Sequence, residues 1–94
     1  MVNIKMKLFA NLREHAGKSE VMLDGDTVLD ILNSLTEQYP SLKEIIFEDG
    51  TDEPQLRGYI NVFVNGNSIH HLDGFSTTLA QGDEIAIFPP VSGG

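Results

Sequence analysis

Few residues in this chain have a type and spacing that does chemistry, and the most distinctive of them stand at its end. The 94 residues close on Gly93-Gly94. Glycine makes up roughly 7% of average sequence, so a chance terminal pair is on the order of one in 200. One reading is a frayed tail or an expression remnant. The other is that the end itself is the reactive group. Two residues without side chains have the torsional freedom to thread a narrow channel in a partner. The terminal carboxylate, with a reference pKa of about 3.5, is ionised at pH 7 and is a poor electrophile. It has to be activated, most directly as an acyl-adenylate made from ATP. The sequence contains no phosphate-binding loop and no dinucleotide fingerprint, so another protein must supply that step. Pro89-Pro90 are placed to hold the tail off the body of the domain.

The remaining candidates are weaker. His15 falls in a turn, and the adjacent His70 and His71, read as part of a strand, point to opposite faces and do not chelate one metal together. No zinc-type Cys/His pattern or His-x-x-x-His spacing occurs. The acidic stretch Glu48–Glu53 lacks the alternating ligands and terminal Glu of a calcium loop and reads as a solvated loop. Asp83-Glu84 is a carboxylate pair, but a Gly-Asp turn accounts for Asp83 more simply. With no cysteine there is no disulfide framework, thiolate metal site or cysteine nucleophile. An enzyme working alone is not indicated.

The elements that must position such a tail follow from patterning. The length allows one domain with a modest core, expected to be residues 1–88, with a flexible tail over 89–94. A hydrophobic fraction of 40% and a charged fraction of 21% are ordinary for a globular domain. Fourteen acidic residues against six scattered basic ones give a formal charge of −8. That argues against nucleic acid and anionic lipid, and for a partner with a basic face. No apolar run approaches a membrane span, and the N-terminus lacks a signal-peptide core. The expected location is cytoplasmic.

Ile4, Met6 and Leu8 alternate with Lys5, Lys7 and Phe9 over residues 3–10, predicting a strand with one buried face. Phe9 is the odd aromatic on the polar side. Residues 11–18 read as a polar connection turning at Gly17. Val21 and Leu23 mark a second strand, antiparallel to the first. Thr27 and Asp30 form a capping-box pattern, and Val28, Ile31, Leu32, Leu35 and Tyr39 make an apolar helical stripe that Pro40 stops. Ser41 and Glu44 are placed to cap a short helical turn carrying Leu42, Ile45 and Ile46. Residues 48–58 are an acidic loop. Tyr59–Val64 is a dense strand, with Ile60, Val62 and Val64 on one side and Tyr59, Asn61 and Phe63 on the other. Asn65-Gly66 predicts a tight hairpin turn into a short strand over Ser68–His71. Gln81-Gly82-Asp83 is a turn before the last strand, Glu84–Phe88. The order predicts an α+β domain in which one main helix packs on a mixed four- to five-stranded sheet. Its first and last strands run parallel side by side, which is the β-grasp, or ubiquitin-like, arrangement.

The run Gly82-Asp83-Glu84-Ile85-Ala86-Ile87-Phe88-Pro89-Pro90-Val91-Ser92-Gly93-Gly94 resembles the C-terminus of the MoaD-type ubiquitin-like sulfur carriers, the small subunits of molybdopterin synthase. Leu8-Phe9-Ala10-Asn11-Leu12-Arg13-Glu14 with Gly17, the helix over 27–39 and Val62-Phe63-Val64-Asn65-Gly66 are similar to the same family, so the resemblance covers essentially the whole chain. The stretches 47–58 and 70–78 look longer than in its compact members. Thiamine-pathway carriers of the ThiS type share the Gly-Gly end, and archaeal small modifier proteins share the whole pattern.

The resemblance implies that the Gly94 carboxylate, with Gly93 beside it, is adenylated by a ubiquitin-activating-type enzyme using ATP and then converted to a thiocarboxylate. A molybdopterin synthase large subunit would receive the tail, and this chain would be the sulfur-donating, non-catalytic small subunit. The resemblance places Phe9 and Phe88 on an apolar patch that docks partners, and Pro89, Pro90 and Val91 in the partner's grip. No cofactor is expected on the chain itself. The competing expectation is a protein modifier, in which Gly94 is joined to a lysine of a substrate protein. Both share the adenylate and diverge at the acceptor, sulfide or amine. A third reading is a plain interaction domain with an inert tail.

Overall fold

A computed structural model describes residues 2–89. The chain order is β1 (Val2–Leu8), α1 (Ala10–Ala16), β2 (Glu20–Gly25), α2 (Val28–Gln38), a 3-10 turn (Pro40–Leu42), α3 (Lys43–Ile46), β3 (Asn61–Val64), β4 (Asn67–Ser68), 3-10 turns at Ile69–His71 and Gly74–Ser76, and β5 (Glu84–Phe88). The five strands form one sheet in the order β2-β1-β5-β3-β4. β1 pairs antiparallel with β2 and parallel with β5, with Leu8 opposite Ile87, and β5 pairs antiparallel with β3, with Phe88 opposite Asn61. The first and last strands therefore lie side by side at the sheet centre, and the domain is the expected β-grasp.

The core follows from the alternation. Ile4, Met6 and Leu8 of β1, Ile85 and Ile87 of β5, and Val62 and Val64 of β3 are buried on one face of the sheet. Val28, Ile31, Leu32 and Leu35 of α2 meet them from the other side, all fully buried. The helix starts where the sequence indicates. The Thr27 hydroxyl accepts from Asp30 N–H (3.2 Å), and the Asp30 carboxylate accepts from Thr27 N–H (3.2 Å), completing the capping box. Gly25 has no room for a side chain: a Cβ there would stand 2.7 Å from the Asp30 Cβ. The β3–β4 hairpin turns on Asn65 (φ 51°) and Gly66 (φ 86°), both left-handed, as a two-residue turn of this type requires.

Three local expectations are corrected. The connection over 11–18 is helical: Leu12 is fully buried and packs α1 onto the core, and Gly17, at φ 75°, caps it in the left-handed region. The first strand consequently ends at Leu8, and Phe9 is the extended residue before α1. The short turn α3 forms, but its preceding residue is Leu42 and no side chain caps it, so neither Ser41 nor Glu44 does so. The strand over Ser68–His71 is only Asn67–Ser68. The Ser68 hydroxyl accepts from His70 N–H (3.2 Å) and diverts the chain into a 3-10 turn, so the two histidines are not on a strand at all.

Candidate functional site: the open sheet face at the tail end

The face of the sheet turned away from α2 carries the residues that the alternation leaves outside. On β1 these are Lys5 and Lys7, on β2 Glu20, Met22 and Asp24, on β5 Glu84, Ala86 and Phe88, and on β3 Asn61 and Phe63. Register gathers the aromatic ones. Phe9 follows Leu8, which faces Ile87, and its ring stacks on Phe88 with centroids 4.5 Å apart and planes 13° apart. Phe63 meets the other side of Phe88 edge-on at 5.4 Å. Phe88 is 36% exposed, large for a ring in two aromatic contacts. Beside it, the small residues Gly66 and Ala86 leave a hollow of about 430 Å³ lined by Phe63, Gly66, Ala86 and Phe88. At its other end Glu84 sits between Lys5 (3.7 Å) and Lys7 (4.0 Å).

The structure brings Phe9 and Phe88 into contact and adds Phe63 to them. The signal for Phe63 was present: it shares the parity of Asn61, on the outer side of β3. Pro89 is buried directly after Phe88. Pro90, Val91, Gly93 and Gly94 lie outside the described residues.

Charge is not concentrated on this face. The two lysines flank Glu84, and Asp24 accepts a hydrogen bond from the Asn3 amide (2.9 Å). Only Glu20, Asp24 and Glu84 of the fourteen acidic residues project here, so most of the −8 charge resides on the helices and loops. A surface that docks here has to be mainly apolar, and the basic partner face expected from total charge has no counterpart at this site.

The other chemical candidates resolve into structure. The Asp83 carboxylate accepts from Ala80 N–H (2.8 Å) and from the Asn65 side-chain amide (2.9 Å). The Ala80 N–H first and Asn65 second hold its pKa below the ordinary 3.8. Asn65 also accepts from Glu84 N–H (3.1 Å), so this group ties the β3–β4 turn to the start of β5. His15, His70 and His71 are exposed, and no group of three or more His, Asp or Glu among the described residues is placed to hold a metal. No helix among the described residues is long and apolar enough to cross a membrane.

Comparison with known proteins agrees with this architecture. The ThiS family model matches residues 6–94. The solution structure of small archaeal modifier protein 1 from Methanosarcina acetivorans superposes with a TM-score of 0.91 at 54% identity, covering 100% of this chain and 98% of that one. Small archaeal modifier protein 3 of Haloferax volcanii is 38% identical, over 99% of this chain and 100% of its own. Sulfur carrier protein CysO of Mycobacterium tuberculosis is 29% identical, over 99% of this chain and 100% of its own. With its β-grasp sheet, its aromatic open face and a match over nearly its whole length, the chain belongs to the ThiS family of ubiquitin-like proteins, in which sulfur carriers and archaeal modifiers meet.

Proposed function

We propose that this chain is a ubiquitin-like protein modifier that works through its terminal carboxyl. In the first step a separate ubiquitin-activating-type enzyme joins the Gly94 carboxylate to the α-phosphate of ATP, releasing pyrophosphate. In the second the amine of a substrate lysine attacks the acyl-adenylate, an amide forms and AMP leaves. The open sheet face around Phe9, Phe63 and Phe88 docks the activating enzyme, and Pro89 to Gly94 enter its cleft. The observation that carries the modifier reading is the 54% identity, over the full chain, to a protein named as an archaeal modifier.

The second reading is sulfur carriage, and it is the one that the tail motif first suggested. Here sulfur replaces adenylate and leaves a thiocarboxylate on Gly94. A large subunit of the molybdopterin synthase type then takes the sulfur into a pterin product. The 29% identity over 99% of the chain to a protein named as a sulfur carrier favours it. The two readings share the adenylate, so one chain serves both only if both acceptors reach it.

The deciding experiment is intact mass after incubation with the activating enzyme and ATP, with either a sulfur donor or a lysine-bearing substrate protein. An isopeptide adduct supports modification, and an oxygen-to-sulfur exchange at the C-terminus supports carriage. Removal of Gly93-Gly94 abolishes both products; adenylation that survives this deletion overturns the common premise.

A further inference from the structure

Among the described residues four large apolar side chains are exposed: Met22, Tyr59, Leu72 and Phe88. Phe88 has its place in the aromatic cluster. Tyr59 does not. It is 45% exposed, and among the described residues its ring meets no other aromatic ring and its hydroxyl has no hydrogen-bond partner.

Its backbone, by contrast, is held on both sides. Arg57 N–H donates to the Ile46 carbonyl (2.9 Å). The Arg57 guanidinium donates through Nε to the Glu44 carbonyl (2.5 Å) and pairs through Nη2 with Asp49 (3.3 Å). Ile60 N–H donates back to the Arg57 carbonyl (2.9 Å), and the Ile60 side chain is buried. Tyr59 therefore stands on a pinned turn, with a ring that meets no other aromatic ring among the described residues.

Its position is also specific. Asn61, two residues on, faces Phe88 across the β3–β5 ladder, and Leu8 before Phe9 faces Ile87. Tyr59, Phe88 and Phe9 thus mark one end of the sheet, the end at which β5 passes into Pro89.

We infer that Tyr59 is a partner-contact residue for the activating enzyme, engaging its surface beside the cleft that takes the tail. The inference rests on the adenylation reading and adds a residue to it. An exposed tyrosine offers a large ring and a hydroxyl with few torsions to freeze, and a pinned turn leaves little further entropy to lose on docking. The enzyme surface it fits is an apolar shelf with a hydrogen-bond acceptor for the phenol. A side chain that grips the enzyme surface without taking part in the reaction contributes binding that is equal in ground and transition states.

The test measures carrier-dependent pyrophosphate exchange by a purified ubiquitin-activating-type enzyme, using the full chain, Tyr59→Ala and Tyr59→Phe. The expected result for Tyr59→Ala is a roughly tenfold rise in KM for the carrier with kcat unchanged, the size of a single interface anchor. Tyr59→Phe recovers most of it, the remainder reporting the hydroxyl. Both variants melt cooperatively, Tyr59→Phe like the unmodified chain and Tyr59→Ala with a modest fall in midpoint, since nearly half of the side chain is already exposed. A Tyr59→Ala KM equal to that of the unmodified chain overturns this inference alone. An unmodified chain that supports no exchange overturns the adenylation reading, and this inference with it.

Discussion

Replacing Phe88 by alanine separates what the aromatic face does for the fold from what it does for binding. The substitution removes two ring contacts, to Phe9 at 4.5 Å and Phe63 at 5.4 Å. Each such pair contributes about 0.5–1.5 kcal/mol beyond its area, so together they account for about 1–3 kcal/mol. With 36% of Phe88 exposed, its buried part adds only about 1–2 kcal/mol of transfer free energy. The expected loss of about 2–5 kcal/mol does not exceed the lower end of the 5–15 kcal/mol typical of a domain, so the variant is expected to stay folded, with a reduced margin. Urea denaturation followed by circular dichroism measures the loss. A double-mutant cycle with Phe9→Ala isolates the stacked pair, with an expected coupling of about 0.5–1.5 kcal/mol. If the same face docks the activating enzyme, loss of a central anchor costs at least about 2 kcal/mol of binding, which is roughly a thirtyfold rise in KM. The rise should depend only weakly on salt, because the lysines of this face already flank Glu84. A folded Phe88→Ala chain with unchanged KM refutes the docking argument, and a coupling near zero refutes the claim that the two rings hold each other.

Three further outcomes are expected. Gly25→Ala forces a Cβ to within 2.7 Å of the Asp30 Cβ and should destabilise the domain by about 1–3 kcal/mol in urea melts, while Gly58→Ala, where nothing lies within 4 Å, should not. Thr27→Ala removes half of the capping box and should cost about 1 kcal/mol by the same measurement, with Thr27→Ser retaining most of it. The Asp83 carboxyl has a lowered pKa in the fold, so its stabilising contribution is complete above its unfolded value, near 3.8, and is lost as pH falls through the lower folded value. The stability gap between the unmodified chain and Asp83→Ala should therefore be steady at neutral pH and narrow in acid; a gap that widens in acid contradicts the assignment.

Much of the fold is legible along the chain because its signals are local. The alternation of Ile4, Met6 and Leu8, the Thr27/Asp30 cap and the Asn65-Gly66 turn each state their own conformation through sterics and nearby hydrogen bonds. The stretch over 10–16 was less legible. It is seven residues long with Leu12 alone fully buried, too short for its periodicity to stand out, and helical because docking Leu12 into the core outweighs a weak intrinsic preference. The Ser68–His71 region departs from its strand-like pattern for a related reason. Its β-like composition yields to a side-chain hydrogen bond that ends the ladder after two residues.

The proposal of a reactive Gly-Gly end and of its chemistry rests on sequence alone, since the Gly93-Gly94 pair and the absence of nucleotide motifs need no coordinates to be read. The aromatic face comes from tertiary structure alone. Phe9, Phe63 and Phe88 are separated by 54 and 25 residues of chain, and only the parallel β1–β5 and antiparallel β3–β5 pairings bring their rings into contact. Net charge likewise says nothing of where charge lies. Strand parity and register decide that the open sheet face is aromatic and nearly balanced, while the acidic excess falls on the helices and loops.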